Sequence, residues 1–319
     1  MLAAPDRQKV MQVANLLRQG GKVTPFPFLD PFPGARFFPQ QASPLAVPFF
    51  FTAVMHQYGF WTSDGDLYGQ PYRGQVDGDL LKGSDFMWRC ILRKAQASSQ
   101  FLEPAYQAQI SRSEFDDVFR TDDGTLGLPM LDSHFQLMRG FGQDMVQRGW
   151  TPARMVDVAN GLESPFASFL EALTTVTGYK EDPLQKKASL LAIALCNRPE
   201  HFLEISSADF IPIVDYHIQR TFLRTGMVKV PESALQQSLV ARKFVDAAQE
   251  QVVRKAVHEA VLMLSKDSGC DIAAIDWFFF GLRKTCYEDR PPECHRCPAQ
   301  TACEQNSSLF QPVFRTTAY

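Results

Sequence analysis

The chain has 319 residues, a formal net charge of −3 and 45% hydrophobic residues, enough apolar content for a substantial core and too much for general disorder. No apolar run reaches the length of a membrane span, and residues 1–22 are mixed and charged without a signal-peptide core, so a cytoplasmic protein is expected. The pI of about 6.1 offers nucleic acid no global attraction, although a local basic stripe on a near-neutral protein is enough for binding.

In chain order, residues 6–19 have the pattern of a short amphipathic helix. Residues 24–51, TPFPFLDPFPGARFFPQQASPLAVPFFF, are crowded with Pro and Phe, and proline at this density prevents long helices. Two readings stay open for this arm: it packs its aromatics on the body, or it builds an aromatic wall for a flat ligand such as a nucleobase. Residues 62–83 are rich in Gly and Asp and read as loops, a helix is expected over 85–97, and residues 113–130 again look loop-rich. From Asp132 onward the pattern is helical almost throughout. Helices are expected over 132–148, 152–160 and 165–177, broken at Gly149, Gly161 and Gly178. Others are expected over 186–196 and 215–225, the latter ending at Gly226. The stretch 232–265 holds one or two helices with Val257, Val261 and Leu264 on one face, and a last helix covers 271–285. No internal repeat and no strand-rich region is apparent, so the class is all-α. Three regions are expected: 1–130 with the aromatic arm, a helical core over 131–230, and 231–319 around the cysteines.

Of seven cysteines, four crowd near the C-terminus as Cys286, Cys294, Cys297 and Cys303, with gaps of seven, two and five residues. In a reducing compartment such crowding points to a metal centre more than to disulfides. Structural zinc usually takes two tight Cys-x-x-Cys pairs, or a Cys pair and a His pair, whereas only Cys294 and Cys297 form a tight pair here and His295 lies between them. A cubane iron–sulfur cluster accepts uneven gaps because each thiolate takes a different corner. The segment from Asp276, DWFFFGLRKTCYEDRPPECHRCPAQTACEQN, resembles the C-terminal iron–sulfur loop of the endonuclease III family, with one extra residue in the first gap. That resemblance implies a [4Fe-4S] cluster on Cys286, Cys294, Cys297 and Cys303. In the family the first gap carries basic residues to the DNA backbone; here it holds Glu288, Asp289 and Glu293 against Arg290 alone.

Upstream, residues 213–226, IVDYHIQRTFLRTG, resemble the family's Val-Asp-Thr-His segment at Val214, Asp215, His217, Arg220, Arg224 and Gly226, with Tyr216 in place of Thr. The resemblance implies that Asp215 is the catalytic carboxylate. Breaking an N-glycosidic bond builds positive charge on the sugar, which a nearby carboxylate stabilises, or the carboxylate deprotonates the nucleophile. Its position at a helix start equally suits a capping role. His217, Arg220 and Arg224 read as scaffold or solvated residues, and the two arginines, one turn apart, are also placed to meet phosphate.

Family members that also cut the strand use a lysine after a Gly-x-Gly hairpin. Here residues 178–195, GYKEDPLQKKASLLAIAL, put Lys187 at that position, with Lys186 beside it. A buried lysine of lowered pKa attacks an anomeric carbon; a solvated lysine pair at a helix start does nothing of the kind. The second hairpin glycine is replaced by Asp182-Pro183-Leu184, and extra residues near 197–208 precede Asp215. This longer arrangement resembles the archaeal 8-oxoguanine glycosylases and the queuosine-salvage nucleotide glycosidases. The salvage likeness is carried by Lys187-Ala188, Ile205-Ser206-Ser207, Val214-Asp215-Tyr216 and Gly59-Phe60-Trp61.

Together these resemblances imply an all-α, two-lobed helix-hairpin-helix glycosylase-like fold whose cluster is structural. The implied enzyme is a DNA N-glycosylase with Asp215 and Lys187 as catalytic groups, acting on DNA containing a modified base. One such base is the glucosylated hydroxymethylcytosine of phage DNA, which would make the chain a defence enzyme. The alternatives are a glycosidase for free queuosine-type nucleotides and a non-catalytic nucleic-acid-binding iron–sulfur protein. No membrane and no obligate protein partner is expected.

Overall fold

A computed structural model describes residues 2–20, 23–30, 34, 36–64, 67–204 and 209–319. Ile205, Ser206 and Ser207, and part of the aromatic arm (residues 31–33 and 35), lie outside the described residues. The chain is mostly helical, and no helix among the described residues is long and apolar enough to cross a membrane. It divides into two compact units, neither of them a single run of sequence.

The first unit takes its residues from 1–26, 63–70 and 210–315. Helix α1 (Arg7–Gln19) is capped by Asp6, whose carboxylate accepts from the Lys9 amide, and it buries Val10, Val13, Ala14 and Leu17. The other helices of this unit are α10 (Tyr216–Thr225), α11 (Ala234–Ala241), α12 (Ala247–Ser268) and α13 (Ile272–Gly281). Helix α1 packs along α12, and α10 packs against both α12 and α13. A short antiparallel pair joins β1 (Ala4–Pro5) to β6 (Val228–Lys229). Every residue of α10 from His217 to Thr225 is buried, so this helix is the centre of the unit. It stops at Gly226, whose φ of +85° belongs to a left-handed cap and whose missing Cβ leaves room for the Glu304 carboxylate.

The second unit takes 27–62, 71–209 and 316–319. Its centre is α2 (Ala46–Met55), buried at Phe49, Phe50, Phe51 and on through Met55. The arm therefore ends in a helix that its composition does not suggest. Pro48 falls in the first turn, where its missing N–H is not needed, while the described residues between 24 and 45 form no helix or strand. Helices α3 (Gly83–Ala97), α6 (Leu131–Gln147), α7 (Pro152–Asn160) and α9 (Lys186–Asn197) pack on α2, and α8 (Pro165–Leu173) packs on α7 and α9. Two short helices, α4 (Pro104–Gln107) and α5 (Arg112–Val118), occupy the region before α6. Helix α5 opens on a Ser111/Glu114 capping box that a loop reading of 113–130 overlooks.

Residues 62–83 are not plain loop. They form β2 (Trp61–Asp64) with β3 (Leu67–Pro71), and β4 (Arg73–Val76) with β5 (Asp79–Lys82), the latter in register Arg73↔Lys82 to Val76↔Asp79. The Asp77-Gly78 turn between β4 and β5 has positive φ at both residues, as a two-residue hairpin requires, so the Gly and Asp content marks the turn and not the whole stretch. The part of the arm within the second unit packs its aromatics. Phe38 stacks on Phe50 at 6.0 Å and meets Trp88 at 5.3 Å, and the buried Arg198 guanidinium donates to the carbonyls of Phe28, Pro39 and Gln40.

Candidate functional site

Asp215 sits at the N-cap of α10 with extended backbone, and its Oδ1 accepts from the Ile218 amide at 3.0 Å. A carboxylate tied in this way is both a cap and a positioned anion, so the two sequence readings coexist. It is half-buried. The backbone just before it is held as well: Arg254 Nε donates to the Val214 carbonyl at 3.0 Å.

The next turns of α10 face the cysteine loop. Arg220 and Arg224 are buried, at 1% and 3% exposure, so neither is a solvated residue and neither presents its charge to a phosphate. Arg220 Nη1 lies 3.2 Å from Glu288 Oε2 and donates to Gln311 at 3.1 Å, while its Nη2 lies 2.9 Å from His217 Nδ1. Arg224 donates from Nη1 to the Tyr287 carbonyl at 2.7 Å and to Cys286 Sγ at 3.3 Å, and from Nε to the Leu309 carbonyl at 2.9 Å. Burial holds the Arg224 guanidinium below its ordinary pKa, opposed by the Cys286 thiol. The acidic residues of the first cysteine gap thus divide. Glu288 turns inward at 3% exposure and neutralises Arg220, Asp289 faces solvent beside the exposed Arg290, and Glu293 is half-buried.

Cys286, Cys294, Cys297 and Cys303 line one cavity, with Arg224, Thr285 and Gln305 beside them. Gln305 gives its amide to Cys303 Sγ at 3.2 Å. Burial pushes the Cys297 and Cys303 thiols above their ordinary range, against a backbone bond at each. Among the described residues no group of three or more His, Cys, Asp or Glu side chains is gathered as a single metal ion would need. The four thiols ring a space, and N–H groups point at two of the sulfurs. Four cysteine thiols around one space are a donor set that suits a thiolate-held metal centre.

In the second unit, Lys186 and Lys187 open α9 and are buried at 4% and 0% exposure, not solvated. Lys187 Nζ donates to the Met55 carbonyl at 3.2 Å, at the end of α2, and lies 5.1 Å from the centre of the Tyr58 ring. Lys186 Nζ donates to the Gln57 carbonyl at 2.9 Å. Burial lowers the Lys187 pKa from 10.5 to about 7, with Glu181 opposing and Lys186 assisting. The site has further members that the sequence did not suggest. Tyr58 stacks on His134 at 4.1 Å, and His134 Nδ1 meets His56 Nδ1 at 3.1 Å, both histidines wholly buried. Desolvation, with Lys187 nearby, holds His56 down to about 3 and His134 well below its ordinary value, so the pair is neutral at pH 7. These residues come from the segment just after α2 and from α6, and no local motif links them.

Ahead of Lys187, the turn from Val176 to Lys186 uses its amides internally. Thr177 N donates to Asp144 at 2.8 Å and Gly178 N to Glu181 at 3.0 Å, while Asp182 accepts from Leu184 N at 3.0 Å and Lys186 N at 2.6 Å. Gly178 has φ +96°, and a Cβ there would meet Met55 Cβ at 3.1 Å. Backbone amides that would suit a phosphate are capped by the chain's own carboxylates.

No family model matches the chain, and no curated protein matches it. The functional reading therefore rests on the residues themselves and on the motifs they resemble.

Proposed function

We propose that the chain is an N-glycosidase that removes a modified base from DNA, with Asp215 and Lys187 as its catalytic groups and a four-iron cluster on the four C-terminal cysteines. The observation that carries this reading is the Lys187 amine: wholly buried, at a helix start, with a pKa of about 7. About half of such an amine is neutral at neutral pH, and a neutral amine is a nucleophile. Its attack on the anomeric carbon forms a carbon–nitrogen bond as the N-glycosidic bond breaks. The base leaves with the electron pair and takes a proton, and opening of the sugar ring gives a Schiff base. A carboxylate held as Asp215 is, by the Ile218 amide, suits the stabilisation of positive charge on a sugar.

Cys286, Cys294, Cys297 and Cys303 would hold the cluster, and its contribution when bound is to fasten residues 286–303. The thiols line one cavity, and their uneven gaps suit a cubane better than the two tight Cys-x-x-Cys pairs usual for structural zinc. Arg224 and Arg220 join this loop to the helix that Asp215 caps. The all-α helix-hairpin-helix architecture inferred from the motifs belongs to the same proposal.

A second reading, a glycosidase for free nucleotides, is favoured by one observation: the amides ahead of Lys187 are occupied by Asp144, Glu181 and Asp182. Borohydride trapping tests the first reading. Incubation with DNA carrying modified bases should give a covalent protein–DNA adduct with the wild type, none with Lys187→Met, and much less with Asp215→Asn. Base release by wild type and Lys187→Met alike, with no adduct, would remove the amine from the mechanism.

A further inference from the structure

The surroundings of Lys187 hold more polar groups than they satisfy. The Tyr58 hydroxyl, His56 Nε2, His134 Nε2, Glu181 Oε2 and Gln185 Oε1 are all out of solvent, and none has a hydrogen-bond partner among the described residues. All belong to the second unit. Other contacts hold their side chains in place. The Tyr58 ring stacks on His134 at 4.1 Å and lies 5.1 Å from Lys187 Nζ, and His134 Nδ1 meets His56 Nδ1 at 3.1 Å. Glu181 Oε1 accepts from the Gly178 amide at 3.0 Å, which leaves Oε2 unused. Burial first, and then the Glu181 charge, hold the Tyr58 hydroxyl well above its ordinary range, and the same charge opposes the burial that lowers Lys187, so the carboxylate lies near both. Gln185 adds backbone strain: it is not glycine, yet its φ is +56°, at the N-cap of α9 and two residues ahead of Lys187.

Buried polar atoms without partners are costly, and several around one buried amine mark a place where a bound group supplies the partners. The chemistry of that group follows from what is left over. Two neutral histidines joined Nδ1 to Nδ1 share one proton across the contact, so one Nε2 is bare and the other carries its N–H. The unused set is then three acceptors (Glu181 Oε2, Gln185 Oε1 and one imidazole nitrogen), one imidazole donor, and the Tyr58 hydroxyl in either role. Acceptors outnumber donors, and the strongest is a carboxylate. An amino group on a ring, next to a bare ring nitrogen, matches a carboxylate acceptor beside a hydroxyl donor. A carbonyl at the same ring position would set oxygen against the carboxylate. We propose that Glu181 and Tyr58 are specificity-determining residues that select a base carrying an amino group over the isosteric base carrying a carbonyl there. The inference rests on the glycosidase reading in taking a base as the substrate, and it adds the class of base.

The test is equilibrium dialysis of the full-length protein against free bases in matched pairs: cytosine with uracil, 5-hydroxymethylcytosine with 5-hydroxymethyluracil, and adenine with hypoxanthine. The wild type should hold the amino member of at least one pair about 10- to 150-fold more tightly, the range for a hydrogen bond to a charged group. Glu181→Gln should abolish or reverse that preference, because a carboxamide also donates to a carbonyl. Tyr58→Phe should weaken the amino member. Urea unfolding supplies a second readout. Tyr58→Phe deletes an oxygen that the fold does not use, so its midpoint should be unchanged or higher.

Retention of no base, equal retention within every pair, or a preference that survives Glu181→Gln would each overturn the proposal. A lower urea midpoint for Tyr58→Phe would do the same, since the hydroxyl would then serve the fold. Dialysis needs no bond cleavage, which separates this outcome from the fate of the glycosidase reading. An amino preference with no base ever released from DNA removes the enzyme and leaves the site, while release of a carbonyl-bearing base alone removes the specificity and leaves the enzyme.

Discussion

Replacing Lys187 by Met should make the protein more stable, not less. The fall of the amine's pKa from 10.5 to about 7 corresponds, at about 1.4 kcal/mol per pH unit, to roughly 5 kcal/mol between the charged and neutral folded forms. At pH 7, where the folded amine is about half protonated and the unfolded one fully so, most of that cost is present, about 4 kcal/mol. Methionine has a similar reach without a proton, and the variant loses the bond to the Met55 carbonyl, worth about 1 kcal/mol. A net gain of about 2–3 kcal/mol is expected in urea unfolding at pH 7. Its pH dependence is the sharper part of the test. The folded state binds the Lys187 proton less tightly than the unfolded state, so raising the pH from 7 through 10.5 stabilises the wild type and leaves the variant unaffected by this group. The advantage of Lys187→Met should therefore shrink between pH 7 and pH 9. A variant that is destabilised at pH 7, or one whose advantage is constant with pH, would show that Lys187 is a solvated or ordinarily charged residue and would remove the basis for its catalytic role.

Three further outcomes follow from the same geometry. Arg220→Met leaves Glu288 as a buried charge without its main partner and should cost about 3–5 kcal/mol in denaturant unfolding, whereas adding Glu288→Leu should recover more than half of it; equal losses in the single and double variants would contradict the pairing. The neutral His56–His134 pair makes the folded chain lose stability as pH falls from 6.5 towards 3, because the unfolded state takes up protons that the folded state refuses. Replacing both together, His56→Leu with His134→Phe, should move the acid unfolding midpoint to lower pH, and an unchanged midpoint would refute the assignment. Cys286→Ser should remove the metal centre and, with it, the sulfur that accepts from Arg224; iron and acid-labile sulfide should be near four of each per chain in the wild type and near zero in the variant, while stoichiometric zinc in the wild type would exclude the cluster.

The helices from Asp132 onward were legible in the sequence because periodicity and capping signals are local. Thr151, Ser233, Asp246 and Asp271 each cap the helix that follows them, and glycines close α10 and α12. What the sequence hid is non-local. Helix α2 reads as part of a proline-rich arm, yet its Phe run is the core of the second unit, because proline forbids a helix interior and permits a first turn. The lysine pair looks like a solvated helix start and is buried by the end of α2, about 130 residues away in the chain. Arg220 and Arg224 sit at phosphate-contact spacing, but Glu288, the Tyr287 carbonyl and the Cys286 sulfur use them. Glu288 is equally deceptive: among other acids it reads as solvated loop, and only a buried arginine explains its 3% exposure.

The most direct measurement is mass spectrometry of bases set free by the purified protein. The panel holds undamaged DNA, oxidised, alkylated and deaminated DNA, glucosylated phage DNA and queuosine monophosphate, each treated in parallel with wild type and Asp215→Asn. The account predicts one modified base released from DNA by the wild type and not by Asp215→Asn. Release from queuosine monophosphate alone would transfer the protein to nucleotide salvage, and no release from any substrate would contradict the glycosidase assignment altogether.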